Sequence, residues 1–308
     1  MLANGFEGWP QRPLHLAIGA FDGVHRGHRE LVRRLREGAS REAALAVAAT
    51  FDPLPAQVLA PNAPPSALTN ADERAELLAA AGAEAVVVFR FDASLVAMSA
   101  REFAERVFAA GDVRRVVVGP DFRFGHGREG DVAMLAGIAA EHGSAVDVVR
   151  PLELSGGIVS STRIRDLLVA GDVRAAATLL GRPYSIAGRV AGRDGSGRGL
   201  GDPTVVVMTP PERLLPADGI YATWVTLGGG RHAAVTSVAR STSRPGSPVL
   251  ECRVLDVGGE LHGEDATTTF VERLRDDRRA GSDDALVAQM AEDVGHARAI
   301  LHGWSAGG

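Results

Sequence analysis

The sequence predicts an α/β protein of two domains, a doubly wound parallel-sheet domain followed by a small antiparallel β-barrel with a C-terminal helix. Up to about residue 181, short strands that are apolar on both faces alternate with amphipathic helices. From residue 185 the chain is rich in β-branched residues, glycine and turn signals, and short strands follow one another closely. The 308 residues suit two domains, which we place at residues 1–183 and 184–308.

In the first domain, strands and helices have clear boundaries. Asn70 and Ser99 are N-cap candidates, and the predicted helices cover about 70–82, 99–111 and 131–143. The predicted strands are Leu14–Gly19, Leu45–Phe51, Ala85–Phe89, Arg115–Gly119 and Ala145–Val149. A sheet built this way binds ligands beyond the carboxyl ends of its strands.

In the second domain, the strand pattern is denser and a single helix closes the chain. The predicted strands are Ser185–Gly192, Thr204–Met208, Gly219–Leu227, His232–Val238, Val249–Val257 and Ala266–Val271. The final helix begins at Ser282 and runs to about His302, with Asp283 and Asp284 in its first turn.

The composition excludes several classes of chemistry. All 33 Lys+Arg positions are arginine, so the chain can form no lysine Schiff base and has no Walker-A lysine. The net charge of −5 argues against nucleic acid and anionic membranes as partners. Cys252 is the only cysteine, and no signal peptide or 20-residue apolar run is present. We therefore expect a cytoplasmic, soluble protein; the sequence leaves its oligomeric state open.

The most informative motif is Gly19-Ala-Phe-Asp-Gly-Val-His-Arg-Gly-His28, between the first strand and a helix. Glycines at such a turn let the backbone approach a phosphate, and the helix N-terminus adds N–H donors. Because His25 and His28 are three residues apart, both can face one anion. The alternative is a tight turn that carries two surface histidines.

Two further motifs follow later strands. In Val118-Gly-Pro-Asp-Phe-Arg-Phe-Gly125, Phe122 and Phe124 can flank a flat ring and Asp121 can add a polar contact. In Val159-Ser-Ser-Thr-Arg-Ile-Arg165, a serine can cap a short helix, and Arg163 and Arg165 can reach a triphosphate. An ordinary turn packed by two phenylalanines and a solvated basic turn are the respective alternatives.

Together these motifs resemble the nucleotidylyltransferase superfamily, and their fuller forms resemble the bacterial bifunctional FAD synthetases (riboflavin kinase/FMN adenylyltransferases). The resemblance continues through Thr50-Phe-Asp-Pro, the helix that starts at Arg163, and Leu179-Leu-Gly-Arg-Pro-Tyr184. It covers nearly the whole chain. It implies that ATP and Mg²⁺ bind the first domain, and that FMN receives the adenylyl group to give FAD and pyrophosphate.

The resemblance also implies roles for individual residues. His25, His28 and Arg163 would be catalytic. FMN would contact Phe51, Asp121, Phe122 and Phe124. The ATP-binding residues would be Gly19, Ala20, Phe21, Asp22, Gly23, Gly27, Ser161 and Thr162. One departure is Leu54, which stands where the family commonly has histidine.

The second domain resembles the riboflavin kinase barrel of this family, with departures at its site. Gly201, Thr204 and Glu251 match family positions; Glu251 would be the general base, and Thr204 is a weak candidate Mg²⁺ ligand. Val206 replaces an asparagine that helps hold Mg·ATP, and an isopropyl group cannot coordinate a hard cation. The motifs at residues 237–243 and 260–263 also depart from the family pattern.

We therefore expect an FMN adenylyltransferase whose kinase domain is weakened or lost. The alternatives are the fully bifunctional enzyme, a non-catalytic flavin- or nucleotide-binding paralogue, and a nucleotidylyltransferase for another substrate.

Overall fold

The computed structural model describes residues 2–63, 66–193, 204–239, 249–255, 265–277 and 283–304. The chain divides into two compact units, Met1–Ser161 and Thr162–Gly308. This division lies earlier than the predicted boundary after residue 183. The reason is that the helix at Val173–Leu180 contacts strands of the second unit, for example through an ion pair between Arg174 and Glu272. In the preceding helix, the carbonyl of Leu168 accepts a hydrogen bond from the backbone N–H of Ala217.

The elements agree closely with the predicted ones. The strands of the first unit are β1 (Leu2–Asn4), β2 (Leu14–Ile18), β3 (Leu45–Asp52), β4 (Ala85–Arg90), β5 (Val113–Val118), β6 (Ala145–Val148), β7 (Glu153–Leu154) and β8 (Gly157–Ile158). Its helices are α1 (Arg26–Arg41), α2 (Pro55–Leu59), α3 (Ala71–Ala80), α4 (Ala93–Ala97), α5 (Ala100–Ala110) and α6 (Val132–Glu141), with a 3₁₀ turn at His126–Arg128. Helix α7 (Ser161–Val169) begins at the last residue of this unit.

The remaining elements belong to the second unit. They are α8 (Val173–Leu180), β9 (Tyr184–Arg193), β10 (Thr204–Met208), β11 (Gly219–Leu227), β12 (Gly230–Ala239), β13 (Val249–Val254), β14 (Asp265–Arg275) and α9 (Asp283–His302).

Six parallel strands form the sheet of the first unit, in the order β1-β4-β3-β2-β5-β6. From β2 the chain runs outward through β3 to β4 on one side, and from β5 to β6 on the other. The strand order therefore reverses between β2 and β5, the topological switch point at which such sheets bind ligands. The motifs that begin at Gly19 and Gly119 follow these two strands.

Both faces of this sheet are buried, as the apolar strands predict. Leu16 and Ile18 of β2 pack on one face with Phe103 and Val107 of α5. Ala17 packs on the other face against α1 and α3. Small alanines on that face allow α1 to approach the sheet closely. The predicted caps are present, since Asn70 and Ser99 accept hydrogen bonds from the backbone N–H groups of the residues three positions later.

The second unit is a closed antiparallel barrel with strand order β10-β13-β12-β11-β14-β9. The strands β10 and β11 have the predicted bounds. Inside the barrel, Thr223 and Thr236 share a 2.7 Å hydrogen bond, and Thr236 and Thr268 lie 3.4 and 3.6 Å from the sulfur of Cys252. Buried hydroxyls are thereby satisfied within the barrel.

Helix α9 covers part of the barrel's outer surface. Its Ala297 and Leu301 pack on Ala222 and Val271. Past the helix, Trp304 and Trp224 enclose the guanidinium of Arg231, which lies 4.6 and 4.2 Å from their ring centroids. Among the described helices, none combines the length and apolar character required for a membrane span.

Candidate active site

A histidine side chain caps the N-terminus of α1. His25 is the N-cap residue, and its Nδ1 accepts a 3.3 Å hydrogen bond from the backbone N–H of His28. A ring nitrogen that accepts a hydrogen bond carries no proton, so neutral His25 is protonated at Nε2.

The two histidines form a stacked pair. Their ring centroids are 3.6 Å apart with 17° between the planes, and the ring of Phe21 meets His28 edge-on at 5.2 Å. Burial, and secondarily the charge of His25, hold the pKa of His28 well below 6.5. His28 is therefore neutral at pH 7. The predicted pairing of these side chains at one helix N-terminus is present in the geometry.

Asp22 supports the loop from within the protein. Its carboxylate accepts hydrogen bonds from the backbone N–H groups of Leu68 and Thr69 at 2.9 and 3.1 Å, and Gly23 N–H donates to the Thr69 hydroxyl at 3.1 Å. Asp22 is 3% exposed. Its side chain faces the protein, and its expected role in ATP binding stays a prediction.

The loop backbone is strained at two positions. Phe21 and Val24 have φ values of +48° and +38°, a region that costs side-chain-bearing residues roughly 1–3 kcal/mol each. Gly23 adopts +81° without that cost. Such strain persists only where surrounding contacts impose it, and the hydrogen bonds of Asp22 are among those contacts.

The neighbouring strand β3 anchors the first residues of the loop. Gly19 N–H donates to the carbonyl of Ala49, and the Thr50 hydroxyl donates to the carbonyl of Ala20 at 2.9 Å. At Gly27 an added Cβ would lie 3.2 Å from the ring of His25. Glycine here therefore leaves room for the histidine ring.

Ser161, the last residue of the first unit, contacts the same loop. Its hydroxyl donates to the backbone carbonyl of Asp22 at 2.8 Å. Thr162 and Arg163 follow in α7 and belong to the second unit. Their contacts with a triphosphate stay a prediction.

The aromatic candidates differ in their surroundings. Phe122 and Phe124 stack at 5.4 Å, but Phe124 is 7% exposed and also packs near Phe103 at 6.1 Å. Phe122 is half-buried and Asp121 is exposed. Of this phenylalanine pair, Phe122 therefore offers the more accessible ring.

Phe51 stands at the carboxyl end of β3 in an aromatic cluster. Its ring lies 5.8 Å from Phe89 and 5.6 Å from Phe91. Its carbonyl accepts a 2.6 Å hydrogen bond from Arg74, a residue that is 1% exposed. Neither Thr69 nor Arg74 could be predicted from the sequence, because no local pattern links them to the loop motif.

Of the three residues predicted for the kinase site, the structure describes Thr204 and Glu251. Thr204 begins β10 directly opposite Arg253 of β13, and Glu251 lies opposite Val206. Glu251 is exposed. Three sequence features lie outside the described residues: Gly201, the altered motif at 260–263, and residues 240–243 of the altered motif at 237–243. A guanidinium opposite Thr204 disfavours a divalent cation held there.

Comparison with known proteins gives matches to both halves of the chain. Residues 9–163 match a family model described as FAD synthetase, and residues 180–301 match one described as riboflavin kinase. Two curated bifunctional riboflavin kinase/FMN adenylyltransferases cover most of the chain. The protein from Pseudomonas fluorescens is 35% identical over 94% of this chain and 94% of its own. That from Escherichia coli K12 is 36% identical over 92% of this chain and 91% of its own.

A solved structure shares the fold of the whole chain. It is described as a macrolide-efflux protein from Streptococcus pneumoniae and is 28% identical, with a TM-score of 0.87 and coverage of 99% of both chains.

Proposed function

This chain belongs to the family of bifunctional riboflavin kinase/FMN adenylyltransferases, and we propose that it converts riboflavin to FMN and FMN to FAD, with ATP as the donor in both steps. It is an enzyme of flavin biosynthesis with nucleotidyltransferase activity. The expectation of a weakened or lost kinase finds no support in the comparisons. The riboflavin kinase match over residues 180–301 favours the bifunctional alternative.

The observation that carries the adenylyltransferase proposal is the stacked His25–His28 pair at the N-terminus of α1. It lies at the carboxyl end of β2, beside the switch point of the sheet. A helix N-terminus and two imidazoles together offer N–H donors to a phosphate that gains negative charge during reaction.

In the adenylyl step, an oxygen of the FMN phosphate attacks the α-phosphorus of ATP. A new P–O bond forms as the bond to the pyrophosphate oxygen breaks, so no covalent enzyme intermediate is needed. His25 donates from Nε2 to an α-phosphate oxygen, and neutral His28 adds one ring N–H. We assign the triphosphate to Ser161, Thr162 and Arg163 and the backbone of the Gly19–His28 loop, while Asp22 holds that loop in position.

For the flavin, we assign the ring contacts to Phe51 and Phe122, with Asp121 as a polar neighbour. Phe51 lies near the carboxyl end of β3 and Phe122 follows β5, and both strands end at the same edge of the sheet as β2, which precedes the histidines. Phe124 supports Phe122 from the core.

In the kinase step, the riboflavin 5′-hydroxyl oxygen attacks the γ-phosphorus of ATP. The O–P bond forms, the bond to ADP breaks, and Glu251 accepts the hydroxyl proton. Its exposed position on β13 is consistent with contact to a small-molecule substrate.

Magnesium is best treated as part of the Mg·ATP substrate. Across the described ranges, no three His, Cys, Asp or Glu side chains converge as a metal site. Mg²⁺ commonly keeps its waters and binds nucleotide phosphates with few protein ligands, so this arrangement fits Mg·ATP.

We infer a cytoplasmic location from the single cysteine, which is buried and reduced.

Incubation with Mg·ATP and either riboflavin or FMN, followed by chromatography of the flavins, tests the proposal. We expect FMN and FAD from riboflavin, and FAD from FMN. FAD from FMN without any product from riboflavin would restore the lost-kinase alternative. Absence of both products would favour a binding paralogue or a different substrate.

A further inference from the structure

The wall of the barrel holds a buried cation that has no hydrogen-bond partner in the described part of the chain. Arg253 of β13 is 5% exposed, and Nε, Nη1 and Nη2 all lack a hydrogen-bond partner among the described residues. Burying a charge is costly unless hydrogen bonds or an opposite charge compensate it. A guanidinium stays protonated, so it cannot relieve this cost by losing a proton.

The strand register places Arg253 on the proposed kinase face. Leu250, Cys252 and Val254 are fully buried and point to the barrel interior, so Glu251 and Arg253 lie on the opposite face of β13. The neighbouring strand places Thr204 opposite Arg253.

Within the described residues, no carboxylate forms an ion pair with Arg253. Glu251, two residues away on the same face, forms no ion pair with Arg253 in the described part of the chain. The residues opposite Arg253 on the two neighbouring strands are Thr204 and Val235, and neither carries a charge. The guanidinium presents a planar fork of donors, whose geometry matches two oxygens of one phosphate.

We propose that Arg253 is a phosphate-binding residue of the barrel, which takes two oxygens of a phosphorylated ligand beside Glu251. This inference rests on the proposed kinase function and names a residue of that site. The phosphate belongs either to the nucleotide or to FMN.

The test compares Arg253→Gln and Arg253→Lys with the matched control Arg275→Gln. Arg275 is also a barrel arginine, but it has a carboxylate partner, Asp293. We expect Arg253→Gln to lower kcat/KM for riboflavin phosphorylation by about 100-fold, as loss of a charge-stabilising donor does elsewhere. Arg253→Lys should recover part of the loss, since it keeps the charge without the fork. The conversion of FMN to FAD should be unchanged in both. Kinase rates equal to wild type in Arg253→Gln would overturn the proposal.

Thermal unfolding without ligand separates a binding role from a structural one. Removing an uncompensated buried charge should raise the unfolding midpoint in Arg253→Met, whereas Arg275→Gln should lower it. A lowered midpoint in Arg253→Met would show that the guanidinium stabilises the barrel, which contradicts the proposal.

Calorimetric titration with ADP and, separately, with FMN identifies the source of the phosphate. Loss of one ADP site in Arg253→Gln assigns the nucleotide, and loss of one FMN site assigns the flavin phosphate. Unchanged stoichiometry and affinity for both would overturn the inference whether or not the wild type phosphorylates riboflavin. Failure of wild-type turnover alone would count against the kinase function, not against phosphate binding.

Discussion

The imidazole rings of His25 and His28 lie nearly parallel, with 3.6 Å between their centroids. Two protonated rings at this distance would repel each other, so the arrangement requires that at least one be neutral. The lowered pKa of His28 satisfies that requirement. The pair therefore acts on a phosphate through N–H donors that point in fixed directions, and it does not carry two positive charges.

Replacement of His28 by alanine should cut the conversion of FMN to FAD by at least about 100-fold, because a donor to the reacting phosphate is lost. Riboflavin phosphorylation should persist in the same preparation. His142→Ala is a matched control, since His142 stacks on Phe108 and pairs with Glu105 away from the loop. Equal adenylylation by wild type and His28→Ala would place the site elsewhere.

The lowered pKa of His28 makes stability depend on pH. Below pH 6.5 the unfolded chain binds a proton that folded His28 does not, so the free energy of unfolding falls as the pH is lowered through that value. In His28→Gln this contribution is absent, and urea unfolding between pH 5 and 7 should show a shallower dependence. Identical slopes, or an NMR titration of His28 with a midpoint at 6.5 or above, would contradict the assignment.

Substitution of Asp22 by alanine should destabilise the first unit by roughly 1–3 kcal/mol, because it leaves the N–H groups of Leu68 and Thr69 without their acceptor. Adenylylation should fall as well, since the strained loop relaxes, while Asp22→Asn should retain part of both. The control Asp92→Ala removes a helix cap away from the loop and should leave the activity unchanged. Full adenylylation activity in Asp22→Ala would contradict a positioning role for Asp22.

Cys252 should resist thiol reagents in the native protein. It is fully buried, and burial raises the pKa of its thiol, so little thiolate is available. Reaction with an aromatic disulfide should require unfolding of the barrel and accelerate in step with urea. Rapid labelling under native conditions would show that the barrel opens locally.

The ion pair of Arg275 and Asp293 should contribute to the attachment of α9. Two hydrogen bonds of 2.9 and 2.7 Å join them, and the Asp293 side chain is 5% exposed. Asp293→Ala leaves Arg275 unpaired and should destabilise the second unit by about 3 kcal/mol in urea unfolding. The exposed pair of Arg101 and Glu141 is the comparison, and Glu141→Ala should change the stability much less than Asp293→Ala does. An equal loss of stability in Asp293→Ala and Glu141→Ala would show that the buried ion pair contributes no more than the exposed one.

Much of the fold could be predicted because its signals are local. The strands of both units follow from runs of apolar or β-branched residues, and the caps at Asn70 and Ser99 follow from their own side chains. Strand β1 was missed, since three residues are too few to show a period and only pairing with β4 orders them. The placement of α7 and α8 with the second unit was missed for a related reason, because contacts distant in sequence decide it.

The site could be predicted only in part. The histidines stand three residues apart, and that spacing alone indicates a shared face. By contrast, Thr69 contacts a loop 46 residues away in sequence, and nothing near it indicates this. The burial of Phe124 and the isolation of Arg253 likewise depend on what packs around each side chain, which a single sequence does not reveal.

The first and last strands of the barrel, β9 and β14, pair with each other. On the ribosome, the ring therefore cannot close until the end of β14 has emerged, whereas all six strands of the first unit's sheet are complete by Val148. We expect the N-terminal unit to fold during synthesis and the barrel to follow late and as a whole. Any truncation before β14 would leave two unpaired strand edges, which makes the C-terminal part of the chain the more vulnerable to aggregation and proteolysis in the cell.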